Sequence, residues 1–340
     1  MGWFVSSHSI FVAGAVGNSH VKSECVKAAL PVLRAIVAPG LMVAVLTAAA
    51  SAGPFKDAAA AYHQGDHATA LRIIRSLARK GYPPAQFKLG VIYVNGNGVP
   101  QDYNEALKWY RKAADRGNAA AQRNLGVMFG KGLGVAQDYA EALKWFRRAA
   151  DQNDAAAQTN LGIMYDFGHG VARDYAEALK WYRKGASRGD AEARYNLGVI
   201  YEHGDGVLQN CVEAARWYHL AADQGYAAAQ SNLGAMYERG EGVPQSYRDA
   251  LKWYRKAADQ NNATAQYNVG SMYASGHGVP QDDVTAHSWF SLSAAQGDED
   301  AAKSRDLIAQ RMTVEQIDEA QKLARGWKPK PQRRQLSEIR

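Results

Sequence analysis

The chain has 340 residues, 21% of them charged and 10% aromatic, with a formal net charge of +7. That composition is too rich in core-forming residues for intrinsic disorder; it lacks the Gly-x-y period of collagen, and two Cys without a Cys-x-x-Cys spacing exclude a disulfide framework or a zinc or redox pair. The 32 Gly are too many for an ordinary helical bundle and need a cause.

Residues 1–52 read as a leader. Lys22, Lys27 and Arg34 precede an uncharged stretch from Ala35 to Ala50, and Ala50-Ser51-Ala52 resembles a cleavage site. This is the pattern of a secretory signal peptide, with an uncleaved anchor as the alternative. The long segment before Ala35 points to a translation start downstream of Met1. Cleavage near Ala52 predicts a periplasmic or secreted protein, removes Cys25 and leaves Cys211 as the one thiol. Lys22, Lys27, Arg34 and Glu24 leave with it, so the net charge falls to +5.

Residues 53–83 read as an N-terminal capping half-repeat. Tyr62-His63-Gln64-Gly65-Asp66 matches Tyr93 to Asp102 with five loop residues missing, and Ala70, Leu71, Ala78 and Gly81 return to the register of the repeats beyond residue 83.

From 84 to 299 the chain repeats every 36 residues, six times, without an insertion. Gly90, Gly126, Gly162, Gly198, Gly234 and Gly270 keep that period, as do Trp109, Trp145, Trp181, Trp217, Trp253 and Trp289. Each unit predicts two helices. Ala85, Leu89, Ile92 and Tyr93 form the apolar face of a helix A, and Ala106, Trp109, Tyr110, Ala113 and Ala114 that of a helix B. Gly96 ends helix A. Asp102, Asp138, Asp174, Asn210, Ser246 and Asp282 stand where a cap must accept the free amides of helix B. Glu105, Glu141, Glu177 and Glu213, three residues on, suit a reciprocal capping box. Helix B stops at Gly117, Asn153, Gly189, Gly225, Asn261 and Gly297, residues that tolerate a left-handed backbone. Gly90 and its equivalents, inside a helix, predict a helix approaching too closely for a side chain, with the Trp filling volume opposite. No single unit buries its own face, so the units stack into a solenoid.

The strings Ala-Ala-Gln-x-Asn-Leu-Gly-x-Met-Tyr, Gly-x-Gly-Val, Gln-Asp-Tyr-x-Glu-Ala and Trp-x-x-x-Ala-Ala resemble the Sel-1-like repeat, a relative of the tetratricopeptide repeat. The resemblance implies an all-α, right-handed superhelical solenoid. It also implies a protein-interaction scaffold or adaptor, of a kind found in envelope complexes, signalling and exopolysaccharide production. Cysteine-rich bacterial relatives are associated with β-lactam binding or hydrolysis; they carry paired Cys in each repeat, whereas Cys211 stands alone here. That enzyme is the rival reading, and an intracellular scaffold is a second.

Beyond 299, residues 300–326 read as two capping helices, the second opened by a Thr313-x-x-Gln316 box and stopped by Gly326; 327–340 read as a basic flexible tail.

No catalytic constellation, cofactor motif or metal motif stands out, so no catalytic residue, cofactor or metal is expected. His63 and His67 are separated by the helix-breaking Gly65-Asp66, Ser19-x-x-Lys22 lies in the leader, and Arg188-Gly189-Asp190 is a helix stop followed by a turn. His169 and His277 read as exposed loop residues. Two periodic surfaces remain. Asn124, Asn160, Asn196, Asn232 and Asn268, with Lys88 in the first unit, recur on the A helices. In the similar tetratricopeptide arrays the Asn before Leu-Gly lines a concave groove, and an amide can donate to and accept from a peptide backbone. An Asn tying adjacent repeats together is the structural alternative. The preceding residues vary (Phe87, Arg123, Thr159, Tyr195, Ser231, Tyr267), and Tyr195 and Tyr267 join the column as partner-binding candidates. The second surface is Lys or Arg at 13 of the 18 positions equivalent to 108, 111 and 112. It is expected opposite the Trp face, as a solvated face or as a site for an acidic partner. Nucleic acid is not an expected partner, and membrane association is expected only if the leader stays attached.

Overall fold

The computed structural model describes residues 55–330, so the leader, its cleavage site and residues 331–340 lie outside the described residues. Sixteen helices and no strand occur among them. In chain order these are α1 Lys56–His63, α2 His67–Arg79, α3 Pro83–Asn95, α4 Tyr103–Ala114, α5 Ala119–Lys131, α6 Tyr139–Asp151, α7 Ala155–Phe167, α8 Tyr175–Ser187 and α9 Ala191–His203. Then come α10 Cys211–Ala222, α11 Ala227–Arg239, α12 Tyr247–Ala258, α13 Ala263–Ser275, α14 Asp283–Ala294, α15 Glu299–Ala309 and α16 Val314–Gly326. They form two compact units, which divide between Arg194 and Tyr195, inside α9. Within each unit consecutive helices pack as antiparallel pairs on the next pair, as a helical solenoid does.

Local chemistry sets the helix ends. Asp102 accepts from the amide of Glu105 at 3.0 Å, and Asp138, Asp174, Asn210, Ser246 and Asp282 cap their helices in the same way. The reciprocal capping box is not made in the B helices. The Asp102 amide is already committed to the Tyr93 carbonyl at 2.9 Å, which closes the loop between α3 and α4. Glu105, Glu141, Glu177 and Glu213 turn outward instead to Lys108, Lys144, Lys180 and Arg216. A full box does form at Thr313 and Gln316, where no such loop bond competes. The B helices stop on left-handed residues; Asn153 and Asn261, with φ of 66° and 65°, are the two non-Gly residues of positive φ among the described residues.

The glycine row is a packing device, and here the structure corrects the sequence expectation. The ring lying on Gly126 belongs to Phe146, not Trp145; a Cβ on Gly126 would sit 2.6 Å from two Phe146 ring carbons. Tyr110, Tyr182, Tyr218, Tyr254 and Phe290 cover Gly90, Gly162, Gly198, Gly234 and Gly270 likewise. One residue along a helix is a turn of about 100°, so the ring after the Trp faces helix A while the Trp faces sideways. Trp109 packs toward the preceding helices, against a cluster that includes Ile74, Leu77 and Ala85.

The start of the expected tail is held rather than free. Trp327 packs edge-on against Trp289 with ring centroids 6.3 Å apart. The Lys330 amide donates to the Asp259 carbonyl at 2.7 Å, and its ammonium reaches the Asp259 carboxylate at 2.8 Å. Among the described residues no helix is long and apolar enough to cross a membrane.

Candidate interaction surface

The amide column sits on the A helices, deeper than an open groove lining would be. Asn124, Asn160 and Asn196 are each 6% exposed, while Asn232 and Asn268 are half-buried. Asn124 is hydrogen-bonded to the buried Tyr110 hydroxyl, and Asn232 to Tyr195 and Tyr218, so the column ties helix A to the aromatic floor. The Nδ2 of Asn196 is buried and has no acceptor. Lys88, the column's first member, is 3% exposed, and burial pushes its amine down to about 7.

The variable residues beside the column are matched across repeats. Three of them meet the N-terminal cap of the next A helix, 31 residues on. Arg123 pairs with Asp154 at 3.1 Å, and the Thr159 hydroxyl donates to Asp190 at 2.8 Å. Tyr195 packs on Tyr226 with ring centroids 5.2 Å apart, whereas Tyr267 packs on Phe290 at 5.5 Å. Asp190, from the Arg-Gly-Asp string, also caps α9 through the Ala193 amide.

A third row escaped the sequence reading. Asp166, Glu202 and Glu238 end their A helices and accept from the hydroxyls of Tyr182, Tyr218 and Tyr254 at 3.0, 2.5 and 2.7 Å. Burial and the adjacent carboxylates push all three phenols up, so each keeps the proton it donates. Where the aromatic is Phe146 or Phe290, the matching positions hold Gly130 and Ala274. That pairing of acid with Tyr and small residue with Phe is readable in the sequence once the positions 16 apart are compared, with Tyr110, which has Val94 at that position, as the exception. Tyr218→Phe is expected to cost about 1–3 kcal/mol, because Glu202, 9% exposed, loses its donor. In urea melts, Tyr218→Phe with Glu202→Ala should cost less than the sum of the two singles; strict additivity would refute the coupling.

The basic positions are occupied locally. Lys108, Lys144, Lys180 and Arg216 pair with Glu105, Glu141, Glu177 and Glu213. Those equivalent to 111 reach aromatic residues of the next A helix: Arg147 donates to the Tyr165 hydroxyl and Arg255 to that of Tyr273. Those equivalent to 112 do not lie opposite the Trp face. Lys112, Arg148, Lys184 and Lys256 cover the Trp rings at 4.3, 4.6, 4.0 and 3.7 Å. Long basic side chains lie along apolar rings while their charged ends stay in water, and three residues along a helix returns to nearly the same face. His169 and His277 stack on Tyr139 and Tyr247 of the preceding repeats at 4.6 and 4.5 Å. Among the described residues no group of three or more His, Cys, Asp or Glu is placed to hold a metal ion.

Helix pairs with glycine-seated aromatic rings, looped through a shared carbonyl and coupled cap to cap, define a tetratricopeptide-like helical repeat array. Six consecutive segments match the Sel1 repeat, at 83–118, 119–154, 155–190, 191–226, 227–262 and 263–298. The chain belongs to the Sel1 repeat family, whose members are typically protein-interaction scaffolds and generally not enzymes. It is similar in structure to a Sel1 repeat protein from Oxalobacter formigenes, with 33% identity, 70% of this chain and 95% of that one covered, and a TM-score of 0.64. It is also similar to c5321, a protective antigen present in uropathogenic Escherichia coli strains and displaying an SLR fold, with 29% identity, 79% and 74% covered, and a TM-score of 0.35. The comparison with curated proteins gives no match.

Proposed function

We propose that this protein is an exported, non-enzymatic scaffold of the bacterial envelope that holds a partner protein or peptide against its A helices. The amide column of Asn124, Asn160, Asn196, Asn232 and Asn268 is the contact surface, its amides offering the donors and acceptors not spent on the aromatic floor, and Tyr195 and Tyr267 add half-buried rings. Asn196 carries the reading. A buried amide donor without an acceptor is costly by about 1–3 kcal/mol, and a turn of the Asn196 side chain toward the surface would let a partner's carbonyl supply what the chain does not. Export rests on the leader pattern of residues 1–52.

The test uses residues 53–340 as bait on an envelope fraction, followed by affinity measurement on the captured partner. Asn160→Ala and Asn196→Ala are each expected to weaken binding about fivefold, equivalent to roughly 1 kcal/mol, with helicity unchanged. Unchanged affinity in both would assign the column to tying repeats together.

A further inference from the structure

Residue 116 and its equivalents, at the C-terminal ends of the B helices, are Arg116, Gln152, Arg188, Gln224, Gln260 and Gln296. Where the residue is Gln152, Gln260 or Gln296, its side-chain amide donates to a buried glutamine 30 residues earlier. The acceptors are Oε1 of Gln122, Gln230 and Gln266, at 2.7, 2.8 and 2.7 Å. Those buried glutamines spend their own amide on a carbonyl at the end of the preceding B helix, as Gln122 does on Ala114 at 3.0 Å. Each is thereby satisfied on both sides.

Arg116 and Arg188 break this pattern. Arg116 turns away to donate to the Gly81 carbonyl, and Arg188 is exposed. Gln86 and Gln158 still donate to Ala78 and Ala150 at 3.2 and 3.3 Å. Their Oε1 atoms are buried and have no donor, in side chains only 3% exposed. A cleft opens at each place, of about 430 Å³ over Gln86 and about 340 Å³ over Gln158. The two are built from equivalent positions 72 residues apart, and both lie in the unit that ends at Arg194. Trp109 and Lys112 wall the first, Trp181 and Lys184 the second. In the first cleft the Trp109 Nε1 is also buried without an acceptor.

We propose that these two clefts are binding sites for a primary carboxamide, presented as an Asn or Gln side chain by a partner protein. A carboxamide can donate to the glutamine Oε1 in either cleft and, in the first, also accept from the Trp109 indole. A carboxylate has no proton for the glutamine oxygen. An ammonium would meet Arg79, Lys112 and Arg116 against the one carboxylate of Asp115 in the first cleft, and Lys184 and Arg188 against that of Asp151 in the second. The chain itself supplies the template, since Gln152, Gln260 and Gln296 place this same group on this same acceptor in other repeats. The site is distinct from the A-helix amide column and goes beyond the function proposed above.

The test titrates N-acetylglutamine N-methylamide into the full chain carrying ¹⁵N-labelled tryptophan. The indole N–H signals of Trp109 and Trp181 are expected to shift saturably, with an affinity on the order of millimolar for so small a ligand. The matching glutamate compound should shift them at least tenfold less at equal concentration. Arg116→Gln with Arg188→Gln rebuilds the internal bond and should abolish the response. The indoles of Trp145, Trp217, Trp253 and Trp289 report that the fold is kept. Equal binding of the glutamate compound, undiminished binding in the double variant, or no saturable shift would each overturn the proposal. None of these outcomes bears on Asn160 or Asn196, so the two proposals fail separately.

Discussion

Gly126→Ala is expected to destabilise the protein by about 2 kcal/mol, against a helix-propensity gain of up to about 1 kcal/mol. The new Cβ would lie 2.6 Å from two ring carbons of Phe146, whose side chain is 1% exposed and set in the core of the first unit. A ring so enclosed cannot move by the required amount without displacing its neighbours. Gly130→Ala, one helical turn away in the same helix, is the control: its Cβ would meet nothing closer than Ala142 at 3.8 Å. That substitution should be neutral or stabilise by up to about 1 kcal/mol. Hydrogen exchange should show the Gly126→Ala loss concentrated in α5 and α6 and their immediate neighbours, because contacts in a stacked array are nearest-neighbour ones. Similar stabilities for the two variants would show that the glycine row does not seat the rings.

Lys88 predicts a dependence on pH of comparable size. Its amine titrates near 7 in the folded chain and at the ordinary 10.5 when unfolded, because burial disfavours the charged form. Below pH 7 both states hold the proton, and folding bears the full cost of enclosing a charge. Between 7 and 10.5 the unfolded state holds more protons than the folded one, so stability rises with pH through that window. The span amounts to about 5 kcal/mol. Lys88→Asn, which installs the residue found at this position in the other five repeats, should be more stable than the wild type at pH 7. The difference should shrink toward pH 10. Chemical denaturation of both proteins across that range measures it; a constant difference would mean that Lys88 keeps its charge in the fold.

Much of this architecture is legible in the residues. The period places the helix pairs, and the stops at Gly117 through Gly297 follow from the left-handed backbone that Gly and Asn tolerate there. The ring on Gly90 is not, because Trp109 and Tyr110 share one apolar stripe. Only the packed geometry separates a ring facing helix A from one facing the previous repeat. The capping box at Glu105 fails for a related reason: a cap amide has one proton, and the Tyr93 carbonyl takes it. The variation at Arg123, Thr159 and Tyr195 looks like groove specificity because its counterparts lie 31 residues on, outside any local window. The clefts at Gln86 and Gln158 are invisible until the glutamine pairs elsewhere show what is missing.

The matched pairs give the repeats separate addresses. Arg123 with Asp154, Thr159 with Asp190 and Tyr195 with Tyr226 are an ion pair, a hydrogen bond and a ring contact, and the ring seam suits neither of the two aspartate seams. A unit excised from one place and inserted at another would bring half of one bond to half of a different one. Units that look interchangeable by their glycines are therefore ordered by their seams, and a chain with its repeats shuffled would spell the same fold with mismatched joints.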